Sequence, residues 1–292
     1  MISFRSIVLI FCLTVGAVTH SFADYDPLLA PPIPLAEVSS LALLDENGEA
    51  HHHDHGRFHL THPIITESPL PENKVRINYL FTHDNGGEEH EIEFVGEIAF
   101  TEWFGVEFGI PYVFVDGKNG DADSDTFGNA EVAFKFACFC LEDQGIVLGG
   151  GVAFGLPTGD DRKGIGSNNE FEIEPFVSAG VVRGPVEIVA VLGLGIPTNE
   201  DEDEEDEVDL EFLFNFSFLY HCSDQIAFLV ELNGETIASG DEDETVITIA
   251  PGVVFRPDPH GPLNIGCAVR IPVSDDSEYD WLVIFSMIYH IE

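Results

Sequence analysis

The sequence predicts an all-β fold, an antiparallel up-and-down transmembrane β-barrel of about 12 strands, and three observations carry that prediction. From Lys74 onward the chain breaks into segments of about ten residues in which large apolar residues alternate with polar or small ones, and a period of two over that length means strands. The large-residue face recurs in nearly every segment and carries Trp, Tyr or Phe at its ends, as interfacial girdles do. The connections alternate between short turns and long acidic loops, which suits a barrel with both termini on one side and hence an even strand count. A water-soluble sandwich would alternate too, so length decides. Ten residues rising about 3.3 Å each at roughly 45° climb about 23 Å, close to the apolar band of an outer-membrane barrel of roughly 25 Å.

Composition agrees. The 292 residues include 53 Asp plus Glu against 11 Lys plus Arg, a net charge of −42, yet 45% are hydrophobic and 24 are Phe. Mean hydropathy is +0.11. Such a chain cannot neutralise phosphates, which excludes nucleic-acid binding. It also has too much apolar surface to remain disordered throughout.

Residues 1–23 read as a secretory signal peptide: basic Arg5, an apolar run Ile7–Val18 and a small-residue exit ending at Ala23, where cleavage is expected. The run is shorter than the roughly 20 residues of a membrane-spanning helix. Leu9-Ile10-Phe11 ahead of Cys12 lacks the small residues of a lipoprotein cleavage box. Residues 24–73 form a Pro- and His-rich segment expected in the periplasm, and 74–292 the barrel.

Within the barrel the clearest strand is Val208–Tyr220, with Val208, Leu210, Phe212, Phe214, Phe216, Phe218 and Tyr220 on one face. Val75, Ile77, Tyr79 and Phe81 oppose Lys74, Arg76, Asn78 and Thr82, and Trp281, Val283, Phe285, Met287 and Tyr289 form the outer face of the last strand. Segments Ile146–Leu156 and Ile188–Ile196 place Gly where other strands place acids. Gly-Ile-Pro or its like recurs at Gly109–Pro111, Gly155–Pro157, Gly195–Pro197 and Arg270–Pro272, all inward by alternation, and suggests a shared bulge near the outer half. Cys138 and Cys140 lie two apart on one strand face, where bridging geometry is poor, so Cys138, Cys140, Cys222 and Cys267 are expected as buried or lipid-facing thiols.

Here the residues resemble a family. Gly155-Leu-Pro-Thr-Gly-Asp-Asp161, with Gly164–Ser167 and the strand Phe171–Gly180, is similar to a hairpin of the outer-membrane proteins grouped as phenol-degradation meta-pathway transporters. Thr61–Asn73 resembles the stretch leading into their first strand. The resemblance covers most of residues 60–290 and implies a β-barrel that transports small molecules.

Alternation assigns a pore lining of Glu91, Glu93, Glu97, Glu107, Glu131, Lys135, Glu172, Glu174, Asp209, Glu211, Glu231, Glu235 and Arg270, with Glu187, Lys74, Arg76 and Arg256 facing the same way. An open lumen so lined attracts cations and repels anions. A barrel of 12 strands has a backbone radius of about 12 Å, narrow enough for side chains to fill, so open and plugged forms both follow. His51, His52, His53, His55, His59 and His62 are candidate ligands for Zn, Cu or Ni. The acidic runs Glu200–Glu207 and Asp241–Glu244 are candidates for Ca bridging. Asp121–Asp125 opens like an EF-hand loop, but Thr126 stands where Gly is required and Val132 where the bidentate Glu belongs. Inward Ser178 and Ser217 have no inward His at membrane depth, so no catalytic residue is expected.

The expectation is therefore a non-enzymatic channel for small solutes, exported to the outer membrane of a Gram-negative bacterium. Its partners would be outer-membrane lipids, lipopolysaccharide and the barrel-assembly machinery. The alternative is a closed surface barrel that binds metal or cations through its acidic loops and His-rich segment.

Overall fold

The computed structural model describes residues 60–84, 87–116, 124–198, 210–239, 242–274, 277 and 279–291. Alternating sequence becomes alternating burial in thirteen strands: β1 (Lys74–His83), β2 (Glu88–Thr101), β3 (Phe104–Asp116), β4 (Ser124–Phe127), β5 (Ala130–Leu141), β6 (Ile146–Leu156), β7 (Phe171–Arg183), β8 (Val186–Thr198), β9 (Leu210–His221), β10 (Ile226–Ser239), β11 (Glu242–Phe255), β12 (Leu263–Pro272) and β13 (Trp281–His290). Every pairing is antiparallel, and β1 pairs with β13 from Lys74↔His290 to His83↔Trp281, which closes the sheet on itself. The wall is therefore a closed ring of 12 strands, because β4 pairs only with β3. Closure removes every long unpaired edge, the condition for a sheet to stand in lipid.

That thirteenth strand was not expected. It lies in the Asp116–Gly128 connection and continues the upper part of β3 once β5 has left it: β3 pairs with β5 as far as Gly109↔Glu131, then with β4 from Tyr112↔Phe127 to Val115↔Ser124. Tyr112 packs edge-on against Phe127 at 4.8 Å between ring centres.

The faces fall as alternation predicts. Phe94, Ile98, Phe100, Phe108, Phe228, Phe285 and Tyr289 are exposed on the outside of the wall, while Ala227, Leu229 and Ala250 on the inside are almost fully buried. At the short-turn end Phe104 and Phe136 stack at 5.1 Å, and at the other end Phe81 meets Trp281 at 5.4 Å. Phe214 lies across Gly234 on the neighbouring strand, so its ring covers the backbone that the glycine leaves bare. Short turns close with Gly145 and Gly184 in the left-handed region, at φ 64° and 56°.

Three sequence expectations change here. Register shifts occur at Ala99/Thr101 and Cys138/Leu141, toward the short turns, and not at the recurring prolines. Cys138 and Cys140, expected as free thiols, are joined as a disulfide: both point outward and their Cα atoms are 5.5 Å apart across this irregular strand end. Cys222 and Cys267 are free. Residues 60–73, expected to precede the barrel as part of a periplasmic segment, lie against its inner wall, with Leu60, Thr61, His62, Ile64, Thr66, Ser68 and Leu70 all buried.

Candidate functional site in the barrel lumen

The inner wall accommodates residues 60–73 because four inward glycines leave space for them. A Cβ on Gly105 would sit 2.8 Å from Pro71, on Gly149 2.9 Å from Pro69, on Gly180 2.5 Å from Leu60 and on Gly266 2.8 Å from Ile64. The segment has no ladder to satisfy its backbone, so wall carboxylates do it instead. Glu231, fully buried, accepts from the N–H groups of Ile64, Ile65 and Thr66 at 2.8, 2.9 and 2.7 Å. Glu187 accepts from the Thr61 N–H at 2.6 Å and from its hydroxyl at 3.1 Å, and also contacts His221 Nε2 at 2.8 Å. Arg256 donates to Thr61 Oγ1 at 2.7 Å, and Glu97 accepts from the Glu72 N–H at 3.1 Å.

A charge network completes the docking. Glu67 of the segment faces Arg76 at 2.5 Å, Lys135 at 3.4 Å and Lys74 at 3.6 Å. Lys74 and Lys135 also reach Glu97 at 2.9 and 3.2 Å, and Glu107 at 3.5 and 3.4 Å. Burial alone would raise the Glu67 carboxyl, but Arg76, Lys74 and Lys135 outweigh it and hold the group well below the ordinary carboxylate range. Glu67 was missed in the sequence because it stands in a Pro-rich stretch with no period. The signal that could have found it is the cluster of inward bases Lys74, Arg76 and Lys135 at one depth.

The expected lining thus divides in two. Glu97, Glu107, Lys135 and Glu231, together with Glu187, hold or neighbour the docked segment. Glu91, Glu93, Glu131, Glu172, Glu174, Glu211 and Glu235 stand on the inward face in the half of the wall that carries the long connections, and Arg270 stands there on β12, donating to Thr248 at 2.8 Å. Asp209 lies outside the described residues.

In that half, carboxylates alternate with glycine or proline from β2 to β9. Glu93 on β2 faces Pro111 on β3, Gly109 faces Glu131 on β5, Glu131 faces Gly155 on β6, and Gly155 faces Glu172 on β7. Glu172 then faces Pro197 on β8, and Gly195 faces Glu211 on β9. This accounts for three members of the Gly-x-Pro repeat: they occupy β3, β6 and β8, between the strands that carry carboxylates. A Cβ on Gly195 would come 2.6 Å from the Glu172 carboxylate, and one on Gly193 2.6 Å from that of Glu174. Removing side chains from alternate strands gives the long acids room to project. Between this half and the segment lies a cavity of about 240 Å³, bordered by Glu67, Arg76, Glu93, Glu107, Glu131 and Arg270.

Of the expected metal ligands, His51, His52, His53, His55 and His59 lie outside the described residues, as does the whole acidic run Glu200–Glu207. His62 is described. It hydrogen-bonds Glu72, with His290 beside the pair.

No protein-family model matches the chain, and no curated protein matches it in sequence. Solved structures do match. An outer-membrane channel from Pseudomonas putida F1 is similar with a TM-score of 0.62 at 11% identity, over 80% of this chain and 100% of that one. The NanC porin is similar with a TM-score of 0.52 at 10% identity, over 75% of this chain and 99% of that one. Both likenesses run the length of the solved chains, and with the ring closed by β1 and β13 they establish the fold as a 12-stranded antiparallel barrel of the outer-membrane kind.

Proposed function

We propose that the protein is an outer-membrane channel through which small solutes diffuse, favouring cationic or neutral ones. The observation that carries this reading is the alternation of Glu93, Glu131, Glu172 and Glu211 with glycine and proline across the wall from β2 to β9. Carboxylates held on a low-dielectric wall focus a negative field, raise the local concentration of cations and exclude anions. Arg270 is the one inward base of that half among the described residues, too few to cancel them. The hairpin Gly155–Gly180, which resembles the phenol-degradation meta-pathway transporters, supports a transport role. Gram-negative export, with insertion by the barrel-assembly machinery, belongs to the same reading.

Diffusion rather than catalysis fits the inward hydroxyls, since Ser217 is fully buried and Ser178 nearly so, and His221 is engaged with Glu187.

Planar-bilayer recording under a KCl gradient tests the proposal. The full chain should give a reversal potential of cation-selective sign, and Glu172→Gln, Glu174→Gln and Glu211→Gln combined should move it toward zero. An anion-selective wild type, or a potential that the triple variant leaves unchanged, sinks the acidic-lumen mechanism. Absence of conductance above background ends the channel reading itself.

A further inference from the structure

We infer that His62, Glu72 and His290 form a binding site for a divalent metal ion of the zinc class, which clips the docked segment to the last strand. The three come from separate places: His62 near the start of the described segment, Glu72 just ahead of β1, and His290 at the end of β13. The seam between β1 and β13 brings the last two together, since Lys74 pairs with His290.

Each residue offers one ligand atom, and all three atoms lie within 4.8 Å of one another. His62 Nε2 contacts Glu72 Oε2, His290 Nδ1 stands 3.7 Å from the same oxygen, and the two imidazole rings are 5.1 Å apart, tilted by 35°. Zinc binds imidazole nitrogen at about 2.0–2.1 Å and carboxylate oxygen at about 2.0–2.2 Å, so the donors of a tetrahedral site lie about 3.4 Å apart. Small ring rotations close the remaining gap. Two imidazoles and one carboxylate suit Zn best, with Cu and Ni as competitors, and leave one position for water.

The surroundings of the cluster are those of a ligand set. The His62 side chain is 2% exposed, Glu72 18% and His290 31%, so the cluster is sheltered on the segment side and open on one flank. Asn264, itself buried, lies 3.2 Å from His290 Nε2. The facing atom is the amide nitrogen Nδ2. With the amide flipped, its oxygen accepts a hydrogen bond from His290 Nε2–H and leaves the Nδ1 lone pair to face the ion, the tautomer control that metal-bound histidines need. The Glu72 backbone is fixed through its N–H to Glu97. Binding would tie both ends of residues 62–72 to β13, closing the docked segment into a loop that cannot peel from either end.

Zn(II) titration of the full chain in detergent micelles, after chelator treatment, tests the site against a competing chromophoric indicator. The histidines at 51–59 could bind zinc themselves, so the reference carries His51→Ala, His52→Ala, His53→Ala, His55→Ala and His59→Ala. That reference should bind one equivalent of Zn(II), and Co(II) in its place should show the visible bands of a four-coordinate site. Adding His290→Ala should weaken binding by on the order of 100-fold or more, beyond the roughly 10- to 100-fold that loss of a supporting residue costs. Glu72→Gln, close in shape, covers the case in which His290→Ala fails to assemble, and should weaken binding in the same direction. Loss of all tight binding in the reference assigns the metal to the upstream tract and overturns the proposal. Unchanged affinity in folded His290→Ala or Glu72→Gln overturns it as well.

Discussion

Glu231 shows how much one residue carries here. It is fully buried on β10, and its two oxygens satisfy three successive backbone donors of a stretch that has no strand partner of its own. Hydrogen bonds to a charged acceptor contribute about 1.5–3 kcal/mol, and each buried donor left without a partner costs about 1–3 kcal/mol. Glu231→Ala should therefore release residues 60–73 while leaving the ladder intact. The expected result is faster proteolytic cleavage within 60–73 and a larger single-channel conductance. Equal protease resistance in wild type and variant would show that the segment is held elsewhere.

At the scale of elements, strand identity was legible because the lipid-facing residues impose a strict period of two: Leu210–Tyr220, the described part of the expected Val208–Tyr220 strand, and Trp281–Tyr289 read the same way in sequence and in space. What the chain does not advertise is structure that depends on another element's carboxylates. Residues 60–73 dock through backbone N–H groups, which any sequence supplies, and β4 is four residues riding on β3. The inward acids were legible as a face, but their division between anchors of the segment and the remaining lumen acids was not, because it depends on where the segment lies. A test belongs to the outer face as well. Leu232, near the middle of β10 and exposed, stands between Phe216 and Ile249. Leu232→Arg should cost about 2–4 kcal/mol in lipid vesicles, the penalty for a cation at the midplane of a barrel wall, measured by denaturant unfolding. A change within error of zero would place this face out of lipid.

For the whole molecule, docking of the segment is coupled to pH through Glu67. Arg76, Lys74 and Lys135 face it, with His62 on its own segment, and they hold its carboxyl well below the usual value. The folded value lies below the unfolded one, so the stabilisation is present above about pH 4.5 and is lost as pH falls toward the depressed value. Hydrogen exchange across 60–73 should therefore accelerate on acidification below about pH 4.5, with conductance rising in parallel. Protection that persists or grows on acidification contradicts this linkage. The charge of −42 acts at this scale too: part of it anchors, part lines the lumen, and the lipid-facing belt carries almost none.

The docked segment also bears on mechanics. β1 and β8 stand six places apart in a ring of 12, on opposite sides of the barrel. Residues 61–67 link those two sides, fastened to β8 through Glu187, to β10 through Glu231, and to β1 and β5 through Glu67. A hollow tube of this size can flatten by sliding its strands, whereas a tube cross-braced from within keeps its section. The cross-section of the barrel then depends on the segment as well as on the strand ladder.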